Sequence, residues 1–323
     1  MSWKILLTGR NGQVGAELEP LLAQIGSVVA TDRQQMDLAS PDRIRTMVRD
    51  VRPQLIVNAA AYTDVGRAEG DEQNAEAINA HAPALMAEEG RKIGAAMIHY
   101  STDYIFDGTK NSPYVEDDPP NPLNVYGKTK LHGEQAIRET GIPHLILRTS
   151  WIYGTRGRNF MLTILRLATQ RKKLTVVRDQ VGAPSCSRAI AQATVAILAG
   201  VAQEDDKPFS EVSGTYHMSA AGQTSWFDFA TAILEEASHG SEHRPWFDAA
   251  TGNLPLVAHR ITPVASNLYP TPVRRPAYSV LSNTRLKQIF NIELRPWRDQ
   301  LNATFADANI GEQLFMRTEE EHK

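Results

Sequence analysis

The 323-residue sequence predicts an α/β fold, a Rossmann-like doubly wound parallel sheet with a smaller C-terminal substrate-binding part. Two observations carry that prediction. Short apolar runs alternate with amphipathic stretches through the first half, the pattern of a parallel sheet covered on both faces. A glycine-rich turn follows the first apolar run directly and opens the first helical stretch.

Taken in order, the apolar runs predict strands over 4–8, 27–31, 55–58, 96–101 and 144–149. The stretches between them predict helices over 13–25, 41–51, 74–93 and 125–140. Beyond 155 the pattern is less regular. Residues 159–171 read as a helix, 174–177 as a strand, 187–198 as an alanine-rich helix, 214–219 as a strand and 225–237 as a helix starting from a serine cap. Residues 235–251 read as a polar, turn-rich surface connection, and Pro255, Pro263, Pro270, Pro272 and Pro276 mark extended chain around a pocket. The expected division is a nucleotide-binding part over 1–155, with a return segment near 183–218, and a mainly substrate-binding part over 156–323.

Composition narrows the function. A hydrophobic fraction of 42% with 22% charged residues is that of an ordinary globular protein, and 323 residues bury a large core. The net charge of -3 argues against nucleic acid as a bulk partner. Cys186 is the only cysteine, so a monomer forms no disulfide and the thiol reads as a packing residue. The nine histidines are scattered without zinc-ligand spacing. The N-terminus enters Ile5-Leu6-Leu7 at once, too soon for a signal-peptide core, and no apolar run is long enough for a bilayer. No membrane partner and a cytoplasmic location are expected.

The chemistry lies at the strand ends. Gly9, Gly12 and Gly15 sit in T-G-R-N-G-Q-V-G between the first strand and first helix. Such spacing permits a tight turn, brings backbone near a pyrophosphate and lets helix and strand pack closely; Gln13 and Val14 join the set at the helix start. Asp32 ends the second strand, where an acidic side chain holds ribose hydroxyls, whereas Arg33 beside it would receive a 2′-phosphate. NADP(H) and NAD(H) therefore both stay open. Asp37 and Leu38 would border the adenine, and Ala61, Tyr62 and Thr63 follow the third strand where a planar cofactor would lie.

Tyr126 and Lys130 are four apart in N-V-Y-G-K-T-K and share a helix face. A cation nearby lowers the energy of losing the phenolic proton, which suits Tyr126 to general-acid work. Taken alone, the pair is weak evidence, since Tyr and Lys at this spacing are more often a half-buried aromatic beside a solvated charge. Ser101-Thr102-Asp103 at the end of the fourth strand supplies the context.

These motifs together, with Arg148-Thr149-Ser150-Trp151, Asn159-Phe160, Asp179-Gln180-Val181-Gly182 and Arg275-Pro276, resemble the extended short-chain dehydrogenase/reductase family over nearly the whole chain. The resemblance implies NAD(P)H-dependent reduction of the C4 keto group of dTDP-4-dehydro-L-rhamnose to dTDP-L-rhamnose, a step of nucleotide-sugar biosynthesis. It further implies Tyr126, Lys130 and Thr102 as catalytic residues, Tyr126 and Lys130 also contacting the cofactor, and Thr102, Asp103 and Trp151 contacting the sugar nucleotide. The related 4,6-dehydratases carry glutamate where this chain has Tyr104, which argues against dehydration; an epimerase would use the same Tyr/Lys pair. A similar non-catalytic protein, the regulatory subunit of methionine adenosyltransferase, gives a second reading that the intact Thr102, Tyr126 and Lys130 disfavour. Some family members hold magnesium with glutamates at a dimer contact, one near Glu17. Here Arg188 and Arg298 stand where acidic partners would be, and arginine offers a hard cation no oxygen. No metal is expected, and either a monomer or a differently built homodimer.

Overall fold

The computed structural model describes residues 3–203, 209–239, 244–269, 271, 273–306 and 314–317. Strand β1 (Trp3–Thr8) leads through α1 (Gln13–Leu22) to β2 (Gly26–Thr31), α2 (Pro41–Val51) and β3 (Leu55–Asn58). Short helices α3 (Val65–Ala68) and α4 (Glu72–Glu76), a π turn (Ala77–His81) and α5 (Ala82–Lys92) precede β4 (Ala96–Thr102); α6 (Val125–Thr140) and β5 (His144–Thr149) follow. With Gly214–His217 these strands form a six-stranded sheet in the order Gly214–His217, β5, β4, β3, β1, β2, every neighbouring pair parallel. The winding reverses between β1 and β3, which puts the ligand crevice at their carboxyl ends.

Side-chain alternation divides the core between the two faces of the sheet. Ile5, Leu7, Leu55 and Val57 point to the cluster shared with Leu18, Ile190 and Phe229. Leu6 and Ile56 point to the other, with Ile44, Val48, Met86 and Ile137. Leu38 and Met36 are buried in this second cluster, so the Leu38 side chain also serves as a packing group.

Strands of the first half fall where the apolar runs place them. Helix α1 ends at Leu22, three residues before the predicted limit, two residues after a proline within it. The single helix expected over 74–93 is three pieces, because Asn79 in the π turn faces inward: its Oδ1 accepts from Tyr62 N at 2.8 Å and its Nδ2 donates to Tyr62 O at 3.1 Å. A π turn inserts one residue per turn and is common at functional sites.

Beyond β5, Phe160–Ala168, Ser187–Gln203 and Trp226–His239 are helices, and Lys173–Val177 pairs in parallel with Arg260–Val264. Ser225 caps its helix, accepting from Asp228 N at 3.0 Å. The connection expected over 235–251 is instead largely helical, in Trp226–His239 and Pro245–Thr251; Trp246 and Phe247 anchor the second piece against Phe305. Its residues 240–243 lie outside the described residues. Pro263 lies within a strand, and Pro270 and Pro272 also fall outside the described residues.

Helix α6 lies unusually close to its neighbours at two glycines. A Cβ on Gly127 would strike the carbonyl oxygen of Tyr104, and one on Gly133 would strike that of Asn79. Both obstacles are backbone, so a methyl group forces the helix away. Gly133→Ala is expected to destabilise the fold by about 1–3 kcal/mol, measured as a lower urea midpoint at unchanged slope.

Candidate active site

The glycine loop turns on Gly9, whose φ of +75° favours a residue without Cβ. A Cβ there would also stand 2.9 Å from the backbone of Ala59 and Ala60, so the end of β3 presses against the loop. Gly12 N donates to Gly9 O at 2.8 Å and starts α1, while a Cβ on Gly15 would enter the Gly9 carbonyl. Gly12 gives α1 no side-chain cap, and its first turn holds no acidic residue. The amides of the first turn are therefore open to an anion, which fits a dinucleotide pyrophosphate. Val14 is buried against the core. The Gln13 side chain instead reaches across the molecule, accepting from Asn159 Nδ2 at 2.9 Å.

At the end of β2, Asp32 accepts from Gln34 N at 2.9 Å and Gln35 N at 3.1 Å, and from Asn11 Nδ2 at 3.3 Å. Arg33 is 77% exposed and loosely paired with Asp37 at 3.9 Å, leaving its guanidinium accessible beside the carboxylate. After β3, the Tyr62 phenol turns to Asp71 at 3.0 Å while Asn79 clasps its backbone; Ala61 and Thr63 flank it.

Asn124 caps α6, accepting from Gly127 N at 2.9 Å, and its Nδ2 donates to Arg274 O at 2.9 Å. This cap ties the start of the catalytic helix to the second half of the chain. Tyr126 is half-buried and meets Tyr104 edge-on at 5.9 Å. Burial pushes its phenol up to about 12, partly offset by a hydrogen bond with Thr102. The depression expected from Lys130 does not appear, because Lys130 Nζ turns toward Tyr100 O at 2.6 Å and lies 3.1 Å from His99 Nε2. Lys130 is 2% exposed, and burial lowers it to about 8 against the pull of Glu134.

Thr102 donates to Asp103 Oδ1 at 3.1 Å and accepts from Tyr104 N at 3.1 Å. Asp103 is buried and raised to about 6 by desolvation, against hydrogen bonds from Ser279, Ser150 and Thr102. Trp151 takes φ +47°, rare for a bulky residue, and stacks on Trp226 at 3.4 Å between ring centroids. Beneath it a Cβ on Gly182 would enter the indole. Phe160 packs on Trp226 at 4.5 Å, so this aromatic wall joins three separate segments. Arg275 lies close enough to act electrostatically on Tyr104.

Several contributors escaped the sequence reading: Asn79, His99, Ser279, Trp226 and Glu134, the partner of Arg148. Asn124 and Asn159 carried a signal, an asparagine just before a helix. Glu134 lies one turn beyond Lys130, the same i,i+4 spacing that joins Tyr126 to Lys130. Glu134 is fully buried and accepts from Arg148 Nε at 2.9 Å and Nη2 at 2.8 Å. Desolvation pushes its carboxyl up, but Arg148 holds it below the ordinary range. Glu17 lies 3.6 Å from Arg188, and Arg298 pairs with Glu235 at 3.1 Å and Glu236 at 3.0 Å. Among the described residues no group of three or more His, Cys, Asp or Glu could hold a metal, and no helix is long and apolar enough to cross a membrane.

A parallel sheet with its crevice at the β1/β3 switch, an uncapped helix start beside the glycine loop, and Tyr126 and Lys130 on α6 beside Thr102 at the end of β4 define a Rossmann-type oxidoreductase. A family model described as the RmlD substrate binding domain matches residues 3–310. The chain is 47% identical over 295 residues to a dTDP-4-dehydrorhamnose reductase of Burkholderia thailandensis, covering 91% of this chain and 95% of that protein. It is 40% identical over 298 residues to the Escherichia coli enzyme of the same name, covering 91% and 94%. A solved dTDP-4-dehydrorhamnose reductase from Bacillus anthracis, in complex with NADP, superposes with a TM-score of 0.81 at 29% identity, covering 94% of this chain and 99% of that one. The chain belongs to the dTDP-4-dehydrorhamnose reductase family.

Arg148→Leu would leave buried Glu134 with the half-exposed Arg138 as its remaining ion-pair partner among the described residues. Breaking such a pair from one side costs about 3–5 kcal/mol. Urea unfolding is expected to show that loss in Arg148→Leu and to recover much of it in Glu134→Leu/Arg148→Leu.

Proposed function

We propose that the protein reduces the C4 keto group of dTDP-4-dehydro-L-rhamnose to give dTDP-L-rhamnose, with NADPH or NADH as reductant. The observation that carries this reading is the seat of α6 beside β4, with Tyr126 in hydrogen-bonding reach of Thr102 and Lys130 against Tyr100 O, in a chain of this family. When bound, the nicotinamide supplies the hydride. The glycine loop and the first turn of α1 would hold the pyrophosphate, and Asp32 and Arg33 would meet the adenosine ribose. An exposed Arg33 beside a hydrogen-bonded Asp32 accommodates ribose with or without a 2′-phosphate.

The residues of the chain handle the proton. A phenol at about 12 holds its proton at neutral pH, as a general acid must before the reaction begins. Thr102, in hydrogen-bonding reach of Tyr126, stabilises negative charge forming on the carbonyl oxygen. Lys130 supplies the positive charge that favours phenolate once Tyr126 has donated. Asp103, fixed by Ser150 at 3.0 Å, orients the sugar hydroxyls. The Trp151–Trp226 wall provides an apolar side to the substrate slot. We assign residues 1–155 and the strand Gly214–His217 mainly to the cofactor, and most of the remaining second half to the sugar nucleotide. With Glu17 paired to Arg188, a homodimer would be built without a cation there. A cytoplasmic site of action accords with a chain whose one cysteine is a buried thiol.

The test is the fall in nicotinamide absorbance on adding dTDP-4-dehydro-L-rhamnose to the protein with NADPH or NADH. Tyr126→Phe is expected to lower kcat by about a hundredfold or more; unchanged turnover would sink the mechanism. Because Lys130 is a cation only below about 8, kcat/KM for reduction is expected to be level at neutral pH and to fall as pH rises through that value.

A further inference from the structure

A chain of buried polar contacts crosses the sheet from the glycine loop to the catalytic helix. Thr8 Oγ1 donates to Asn58 Oδ1 at 2.7 Å, Asn58 Nδ2 lies 3.0 Å from His99 Nδ1, and His99 Nε2 lies 3.1 Å from Lys130 Nζ. Thr8, Asn58, His99 and Lys130 are each 2% exposed or less. Bulk solvent is thus removed as an alternative partner, and each donor must meet an acceptor.

The polarity of this chain is set at one end. Ala60 N lies 3.3 Å from Asn58 Oδ1, and a backbone N–H only donates. The amide oxygen of Asn58 therefore faces Ala60 and Thr8, which turns its NH2 toward His99. Nδ1 of His99 must then accept, and the single proton of a neutral imidazole resides on Nε2. That Nε2–H points at Lys130 Nζ. An ammonium offers only donors, whereas a neutral amine has a lone pair to receive it.

We propose that His99, locked by Asn58 as its Nε2–H tautomer, is a positioning residue that favours the neutral amine of Lys130 and so makes that lysine a ready proton donor. For its effect on turnover this rests on Lys130 acting with Tyr126. After Tyr126 gives its proton to the substrate oxygen, Lys130 returns one toward the phenolate. It becomes the amine that His99 caps, with no proton moving on or off the imidazole. A doubly protonated His99 is disfavoured by burial, then by Lys130, then by His144 on β5. From α6, Glu134 opposes the shift in Lys130 but is engaged by Arg148 and Arg138, and Tyr126 faces Thr102. From β4, the Tyr100 hydroxyl is bound to Thr194 at 2.7 Å, and Asp103 is held by Ser150. The lowering of Lys130 to about 8 agrees in direction.

The tautomer can be read without turnover. In cofactor-free protein labelled with 15N-histidine, long-range 1H–15N correlation spectra, with His99→Gln to assign the signal, are expected to show protonated Nε2 and bare Nδ1. A protonated Nδ1, alone or in a cation, overturns the proposal whatever the activity. Asn58→Asp presents only acceptors, so it should move the proton to Nδ1 and offer Lys130 the Nε2 lone pair. The alkaline limb of kcat/KM is then expected to move up by about one pH unit, the scale of a single altered hydrogen bond. An unmoved limb overturns the role, as does an equal shift in Asn58→Asp/His99→Phe, which would assign the effect to the new charge. A protein that turns over no sugar nucleotide fails the function proposed above and leaves the tautomer result intact.

Discussion

The close seat of α6 on the sheet is the constraint on which the site depends. Gly127 and Gly133 let the helix approach the carbonyls of Tyr104 and Asn79, and Glu134 locks it to β5 through Arg148. Only from that seat do Tyr126 and Lys130 reach β4, where Thr102 at its end and His99 within it meet them. The ion pair illustrates a wider point about buried charge. Its desolvation makes it a weak source of net stability, yet removing one member is costly, so it fixes geometry more than it adds stability.

Burial also sorts the two partners chemically. A phenol and an ammonium taken from water both favour their neutral forms, which raises Tyr126 and lowers Lys130. The phenol keeps its proton until the substrate oxygen demands it. The lysine gives one up more readily than a surface lysine would. A reductase needs this order, since the acid must be loaded before hydride arrives and recharged afterwards.

Local chemistry made much of this readable. Strands β1 to β5 announce themselves as apolar runs, and the glycine loop between β1 and α1 is legible because tight turn, phosphate approach and helix packing each demand glycine within a few residues. Tyr126 and Lys130 gained meaning from their place on a helix facing a strand end. What stayed hidden depends on contacts distant in sequence. Asn58 and His99 look like ordinary residues of apolar strands until the register sets them side by side. Trp226 stacks on Trp151 across 75 positions of chain, and no local pattern pairs them. Leu38 sits in the second core cluster, a packing role that its place just beyond the second strand did not announce. The region 235–251 hides its helices because its polar composition outweighs the two aromatics that anchor the second of them.

The central claim is that hydride is delivered to C4 of a dTDP-4-dehydro sugar while Tyr126 protonates its oxygen. Nicotinamide cofactor carrying deuterium on the transferred position tests this directly, with the sugar product analysed by NMR and mass spectrometry. The account requires one deuterium per molecule of dTDP-L-rhamnose, located at C4, with one cofactor oxidised for each. A product without label, or an isomerised sugar formed with no net cofactor oxidation, would contradict it and point to epimerase chemistry on the same dyad.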